Sequence, residues 1–232
     1  MTERLRSLVS TAYGVVAGIG KAGLVSLSLA GTALAEEVTV VALGDSLTQG
    51  YGLVEEQGFV PQLQTWLRAR GHEVVVENHG VSGDTTAGGL ARIGWALGPE
   101  ADALIVALGG NDLLRGLPPE ASRANLDGIL AEAAARGLPV LLIGLSAPGN
   151  YGPDYKAAFD AIYPDLAEQY GALHVESFLA PLSQAAEADP AAALVRYMQP
   201  DGIHPNAEGV ALIVEALGPE VEALLGRISP RS

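Results

Sequence analysis

Five short apolar runs alternate with stretches of helical spacing, and this alternation most narrows what the chain can fold into. The runs cover residues 38–43, 73–77, 103–108, 139–145 and 172–175. They are near-continuously apolar rather than alternating, the pattern of strands buried on both faces. Helical stretches are expected over 59–70, 86–97, 120–136, 155–170 and 206–217. In the third, Leu126, Ile129, Leu130 and Ala133 share one helical face, and Gly137 with Pro139 supplies the stop signal. Pro164 is expected to kink the fourth or to end its first half. Strands separated by helices imply a five-stranded parallel sheet covered on both sides, an α/β fold in three layers. Apolar residues make up 49% of the 232 and charged residues 17%, enough material for a buried core. Neither a repeat nor a linker divides the region after residue 35.

The first 35 residues read differently. Arg4, Arg6 and Lys21 are basic, residues 22–35 carry no charge, and the stretch closes on Ala33-Leu34-Ala35. A basic region, an apolar region and an A-x-A site in that order make a secretory signal peptide cleaved near Ala35-Glu36. Lys21 and several glycines interrupt any ~20-residue window that would serve as a membrane span. The expected organisation is therefore a signal peptide over 1–35 and one domain over 36–232, periplasmic or secreted, with no stable membrane anchor after cleavage.

Charge and cysteine content remove whole classes of function. The net charge is −14, and loss of residues 1–35 takes away three bases and one acid to leave −16. A phosphate backbone needs a cationic surface, so a nucleic-acid partner is excluded. With no cysteine, there is no disulfide, no thiolate nucleophile and no Cys-ligated metal.

Four loop segments hold the residues able to do chemistry. They are Gly44-Asp45-Ser46-Leu47, Gly80-Val81-Ser82-Gly83-Asp84, Gly109-Gly110-Asn111-Asp112 and Asp201-Gly202-Ile203-His204-Pro205. The first three follow C-terminal ends of strands, where open α/β sheets place their ligands. If the strand order is 2-1-3-4-5, Ser46, Gly83 and Asn111 converge on one crevice. Acyl transfer needs a hydroxyl, a base to accept its proton and a group to orient that base. Ser46, His204 and Asp201 supply these catalytic roles, with Asp201 three residues before His204 in a turn. Pro205 keeps His204 out of helical geometry, and Asn206 can cap the helix that follows. The oxyanion needs preorganised donors. The backbone N–H groups of Ser46 and Gly83 and the Asn111 side chain would form that hole. Singly, each segment also reads as an ordinary turn, cap or surface pair; their joint order at strand ends is what points to chemistry.

These four segments resemble blocks I, II, III and V of the GDSL or SGNH hydrolase superfamily, whose letters fall here on Ser46, Gly83, Asn111 and His204. Further likeness to its bacterial periplasmic thioesterase I, lysophospholipase L1 and arylesterase group lies in Gly89-Leu90-Ala91-Arg92, Asn150-Tyr151-Gly152, Ala161-Ile162-Tyr163-Pro164 and the run from Met198 to Asn206. The resemblance implies a flavodoxin-like α/β/α sandwich (the SGNH hydrolase fold). It also implies hydrolysis of small-molecule acyl esters or thioesters through an acyl-serine, without cofactor or metal. It further implies a mobile segment over 112–117 lining an acyl pocket. Leu113, Leu114 and Leu117 would line that pocket, or would simply begin the packing of the next helix.

Other readings are weaker. No G-x-S-x-G elbow is present. A metallophosphoesterase using Asp45, Asn111, Asp201 and His204 would need more histidines near these loops. A non-catalytic periplasmic small-ligand binding protein would explain export and crevice but not the Ser–Asp–His set. His79 and His174 are expected to be structural, His72 to lie in a turn, and Arg115 to be a solvated loop charge. Asp45 and Asp84 are expected to brace their loops by Asx-type hydrogen bonds.

Overall fold

β1 (Val38–Gly44) is an interior strand of the sheet, with side chains buried on both faces. β2 (Val74–Gly80), β3 (Ala103–Ala107), β4 (Val140–Ile143) and β5 (Leu173–Val175) join it, all parallel, in the order β2-β1-β3-β4-β5. Gly44 pairs with both Gly80 and Ala107. The chain therefore leaves β1, β2 and β3 at one level, and the loops that follow them begin side by side. The computed structural model describes residues 37–186 and 189–229. The signal peptide expected over residues 1–35 lies outside the described residues.

The helices in chain order are α1 (Ser46–Gln49), α2 (Phe59–Arg68), α3 (Thr86–Ala96), α4 (Gly110–Leu114), α5 (Pro119–Ala135), α6 (Pro153–Asp160), α7 (Ile162–Tyr170), α8 (Ala180–Ala185), α9 (Pro190–Tyr197) and α10 (Ala207–Leu225). The sheet separates two cores. Val40, Ala42, Ile105, Leu141 and Ile143 pack with Leu63 and Leu67 of α2 and with Ile213, Leu217 and Val221 of α10. Val41, Leu43, Leu104, Val106 and Leu142 pack on the other side with Ile93 of α3, Leu126 and Ile129 of α5, and Leu166 of α7. Alternate residues of one strand thus enter opposite layers, as the period-2 geometry of a strand requires. The three-layer α/β/α sandwich with its five-stranded parallel sheet is the fold expected from the sequence.

Helix boundaries depart from the sequence expectation in two places. The stretch 155–170 is split at Ala161, because the Pro164 ring would clash with the carbonyl of Asp160, the last residue of α6. Pro164 itself lies in the first turn of α7, where its missing N–H costs nothing. The final helix was expected to end at Leu217, before Gly218-Pro219, yet α10 runs to Leu225 with Pro219 inside it. The hydrogen bond that Pro219 forfeits is offset by Val221 and Leu224, both fully buried one turn later. Helices α8 and α9 were not anticipated. Among the described residues no helix is long and apolar enough to cross a membrane.

Candidate active site

Ser46 opens α1 directly beyond β1. Asp45 caps that helix, its Oδ1 accepting from Leu47 N at 3.0 Å. From the far end of the chain His204 Nε2 comes to 2.8 Å from Ser46 Oγ, and His204 Nδ1 lies 2.7 Å from Asp201 Oδ2. The turn that carries this pair closes like a small hairpin: Met198 bridges Pro205, and Gln199 N donates to His204 O at 2.8 Å. Inside the turn Asp201 Oδ1 accepts from Ile203 N at 2.9 Å and from His204 N at 3.0 Å. The His204 ring, followed by these two backbone donors, holds the Asp201 carboxyl down at about 2. Asn206 then caps α10 through Gly209 N at 3.0 Å, anchoring the turn to the helix that packs with α2 against the sheet.

Gly83 and Asn111 enter the same cavity as Ser46 and His204. Gly83 has φ +79°, a backbone conformation natural to glycine, which leaves its peptide bare toward the cavity. Its loop is fastened twice: Ser82 N donates to Gln49 Oε1 at 3.0 Å, and Arg115 Nη2 donates to Gly83 O at 2.7 Å. Arg115 is exposed, as expected of a loop charge, and also fastens this loop. In α4, Asn111 Nδ2 donates to Asp45 Oδ2 at 3.3 Å. Asp45 is only 3% exposed, and its burial pushes the carboxyl up to about 6 despite the Leu47 N–H and the proximity of His204.

The cavity has a volume of about 430 Å³ and is walled mainly by apolar groups. Leu113 and Leu114 line it, as expected for two of the three leucines. Leu117 is not among the residues that line the cavity. The chain turns at Gly116, Leu117 N returns to Asp112 O at 2.9 Å, and Tyr155 Oη donates to Leu117 O at 2.9 Å. Tyr51, Leu145, Leu179 and Ile203 complete the apolar wall and were not foreseen. The Tyr51 ring lies 4.7 Å from that of His204. Position after β4 was the available signal for Leu145; none pointed to Leu179.

Two polar residues, the half-buried Arg92 and the buried Asp112, hold the loops in place and were also missed. Arg92 of α3 reaches Asp84 Oδ2 at 2.8 Å, His79 O at 2.8 Å and Gly44 O at 2.9 Å, tying together the exits of β1 and β2. Asp84 thus braces its loop through Arg92, whereas Asp45 makes the local cap expected of it. Asp112, 1% exposed, accepts from Thr86 N and Oγ1 and from Ser122 Oγ, which pins α4 to α3 and α5. The remaining histidines lie apart: His72 meets Glu222 at 2.8 Å, His79 packs on Trp95, and burial lowers the His174 imidazole. Among the described residues no group of three or more His, Asp or Glu is placed to hold a metal ion.

The chain is similar to known proteins. The model of the GDSL-like Lipase/Acylhydrolase family matches residues 42–212. Esterase TesA of Pseudomonas aeruginosa is 39% identical over 188 residues, 81% of this chain and 89% of that protein. An arylesterase of Vibrio mimicus is 34% identical over 183 residues, 78% of this chain and 87% of the relative. Among solved structures, AlinE4, an SGNH-hydrolase family esterase, is similar at a TM-score of 0.64 and 44% identity, covering 82% of this chain and 97% of its own. A hydroxyl, an imidazole and a carboxylate in hydrogen-bonded series at the carboxyl edge of such a sheet fit that kinship, and the chain belongs to the GDSL-like lipase/acylhydrolase family.

Proposed function

We propose that this chain hydrolyses carboxylic esters, with Ser46 as nucleophile, His204 as general base and acid, and Asp201 as the group that orients His204. The observation that carries the reading is the unbroken series Ser46 Oγ, His204 Nε2, His204 Nδ1, Asp201 Oδ2, at 2.8 and 2.7 Å. Ser46 attacks the acyl carbonyl as its proton passes to His204 Nε2. Asp201 keeps the ring tautomer and stabilises the imidazolium. The Ser46 and Gly83 backbone N–H groups and the Asn111 amide hold the oxyanion, in a site lined by Leu113, Leu114 and Leu145. His204 then protonates the leaving alcohol or thiol, and water repeats the sequence on the acyl-serine. No step calls for a cofactor or metal.

The apolar wall favours substrates with an aliphatic acyl group. Aryl esters, acyl thioesters and lysophospholipids share that chemistry. The leader over residues 1–35 supports a periplasmic or secreted site of action, where lipids and small esters are met rather than cytosolic thioesters. The test is kcat/KM for p-nitrophenyl esters of increasing acyl length, beside one thioester and one lysophospholipid, with wild type and Ser46→Ala. Turnover that rises with acyl length until the cavity is filled, and that falls by at least about 10³-fold in the variant, is the expected result. A variant retaining more than a few per cent of the rate refutes the nucleophile.

A further inference from the structure

The general base of the proposed reaction sits on a turn 158 residues from the nucleophile, and its reach to Ser46 depends on how that turn is held. One side chain spans both segments. Gln199, half-buried, donates from Nε2 to Tyr51 O at 2.8 Å and to Pro205 O at 3.0 Å. Its backbone N donates to His204 O at 2.8 Å, and its carbonyl accepts from Gly202 N at 3.0 Å. Gln199 thus touches the residues on both sides of the catalytic turn and, through Tyr51, the turn that closes α1. Tyr51 N and Gly50 N both bond Ser46 O at 3.1 Å, so that second turn is continuous with the nucleophile's own backbone. The Tyr51 ring in turn lies against the His204 ring.

The opposite wall of this contact is cut to fit the carboxamide. Gly52 has φ +75°, and a Cβ there would lie 2.2 Å from Gln199 Oε1. Only a residue without a side chain lets the amide lie this close. A primary amide presents two N–H groups from one nitrogen, which matches two carbonyl oxygens on separate segments. A carboxylate would place negative charge against both of them, and an apolar side chain would leave them unbonded.

We propose that Gln199 is a positioning residue for catalysis: its carboxamide latches the turn after Ser46 to the turn bearing His204 and so sets the Ser46–His204 distance. The inference rests on the reading of Ser46 and His204 given above. Displacement of a reacting group by about 1 Å costs about 100-fold in rate. Release of the latch acts on the chemical step while leaving Leu113, Leu114 and Leu145 of the apolar wall in place.

The test compares wild type, Gln199→Met and Gln199→Glu, with Ser46→Ala as control. Three readouts are needed: kcat and KM for p-nitrophenyl butyrate, the rate of covalent labelling by a p-nitrophenyl alkylphosphonate, and the thermal unfolding midpoint. Methionine keeps the volume and removes the bonds; glutamate keeps the shape and removes the donors, and it carries the test if the methionine variant does not fold. The expected result is kcat lower by 10- to 100-fold with KM within about threefold, and labelling slowed by the same factor as kcat. A folded variant with kcat and labelling within twofold of wild type overturns the proposal, even if its unfolding midpoint has dropped. Turnover retained in Ser46→Ala instead removes the underlying assignment, and the latch with it; the two failures are told apart by which variant stays active.

Discussion

Asp45 shows how a residue can weaken the fold while serving the site. Its carboxyl is buried, capped by Leu47 N, and tied to the Asn111 amide at 3.3 Å. Because its folded value of about 6 lies above the ordinary 3.8, the folded state holds the proton more tightly than the unfolded chain. Ionisation of Asp45 therefore subtracts stability as the pH rises from 3.8 to about 6, and the cost is fully present above that. Asp45→Asn removes the charge, so its thermal midpoint is expected to exceed that of wild type at pH 8 and to differ little at pH 4. The same variant should lose activity by about 10- to 100-fold. An amide at 45 makes Asn111 turn its oxygen toward it and moves its N–H groups off the oxyanion position. Melts at the two pH values and kcat check both halves. Asp201 has the opposite sign: held down at about 2, it adds stability above the ordinary 3.8 and loses it progressively as the pH falls from there to about 2.

At the scale of elements, the loops after β1 and β2 are aligned by register but fixed by α3. Arg92 satisfies the Gly44 and His79 carbonyls and pairs with Asp84, both charged side chains being less than one-fifth exposed. Truncation leaves a largely buried carboxylate and two carbonyls without their donor. Arg92→Ala is expected to lower the unfolding free energy by about 3 kcal/mol in urea denaturation and to reduce kcat together with it. Arg92→Lys should recover only part of either, because one ammonium cannot present the three directed donors of a guanidinium. A variant of wild-type stability and rate would show that the register alone aligns the loops.

For the molecule as a whole, the sheet was legible because each strand announces itself locally: Val40, Val41, Ala42 and Leu43 are apolar on both faces, and only a central parallel strand buries both. The strand order then brought Ser46, Gly83 and Asn111 together without any knowledge of side-chain contacts. Helices α8 and α9 escaped because Ala- and Pro-rich segments carry little periodicity, although Asp189, whose side chain accepts from Ala192 N, followed by Pro190 was a readable helix start. The reach of Gln199 to Tyr51 and of Arg92 to Gly44, separations of 148 and 48 residues, was not legible at all. Such contacts arise from tertiary placement, which neither propensity nor spacing encodes.

The central claim is that the Ser46 hydroxyl, activated by His204, is the group acylated by substrate. The most direct measurement is stoichiometric labelling with a p-nitrophenyl alkylphosphonate followed by peptide mass spectrometry. One adduct per chain is expected, on Ser46, forming at least about 100-fold more slowly in His204→Ala. An adduct on another residue, or an unlabelled Ser46 in protein that has lost its esterase activity to the reagent, would contradict it.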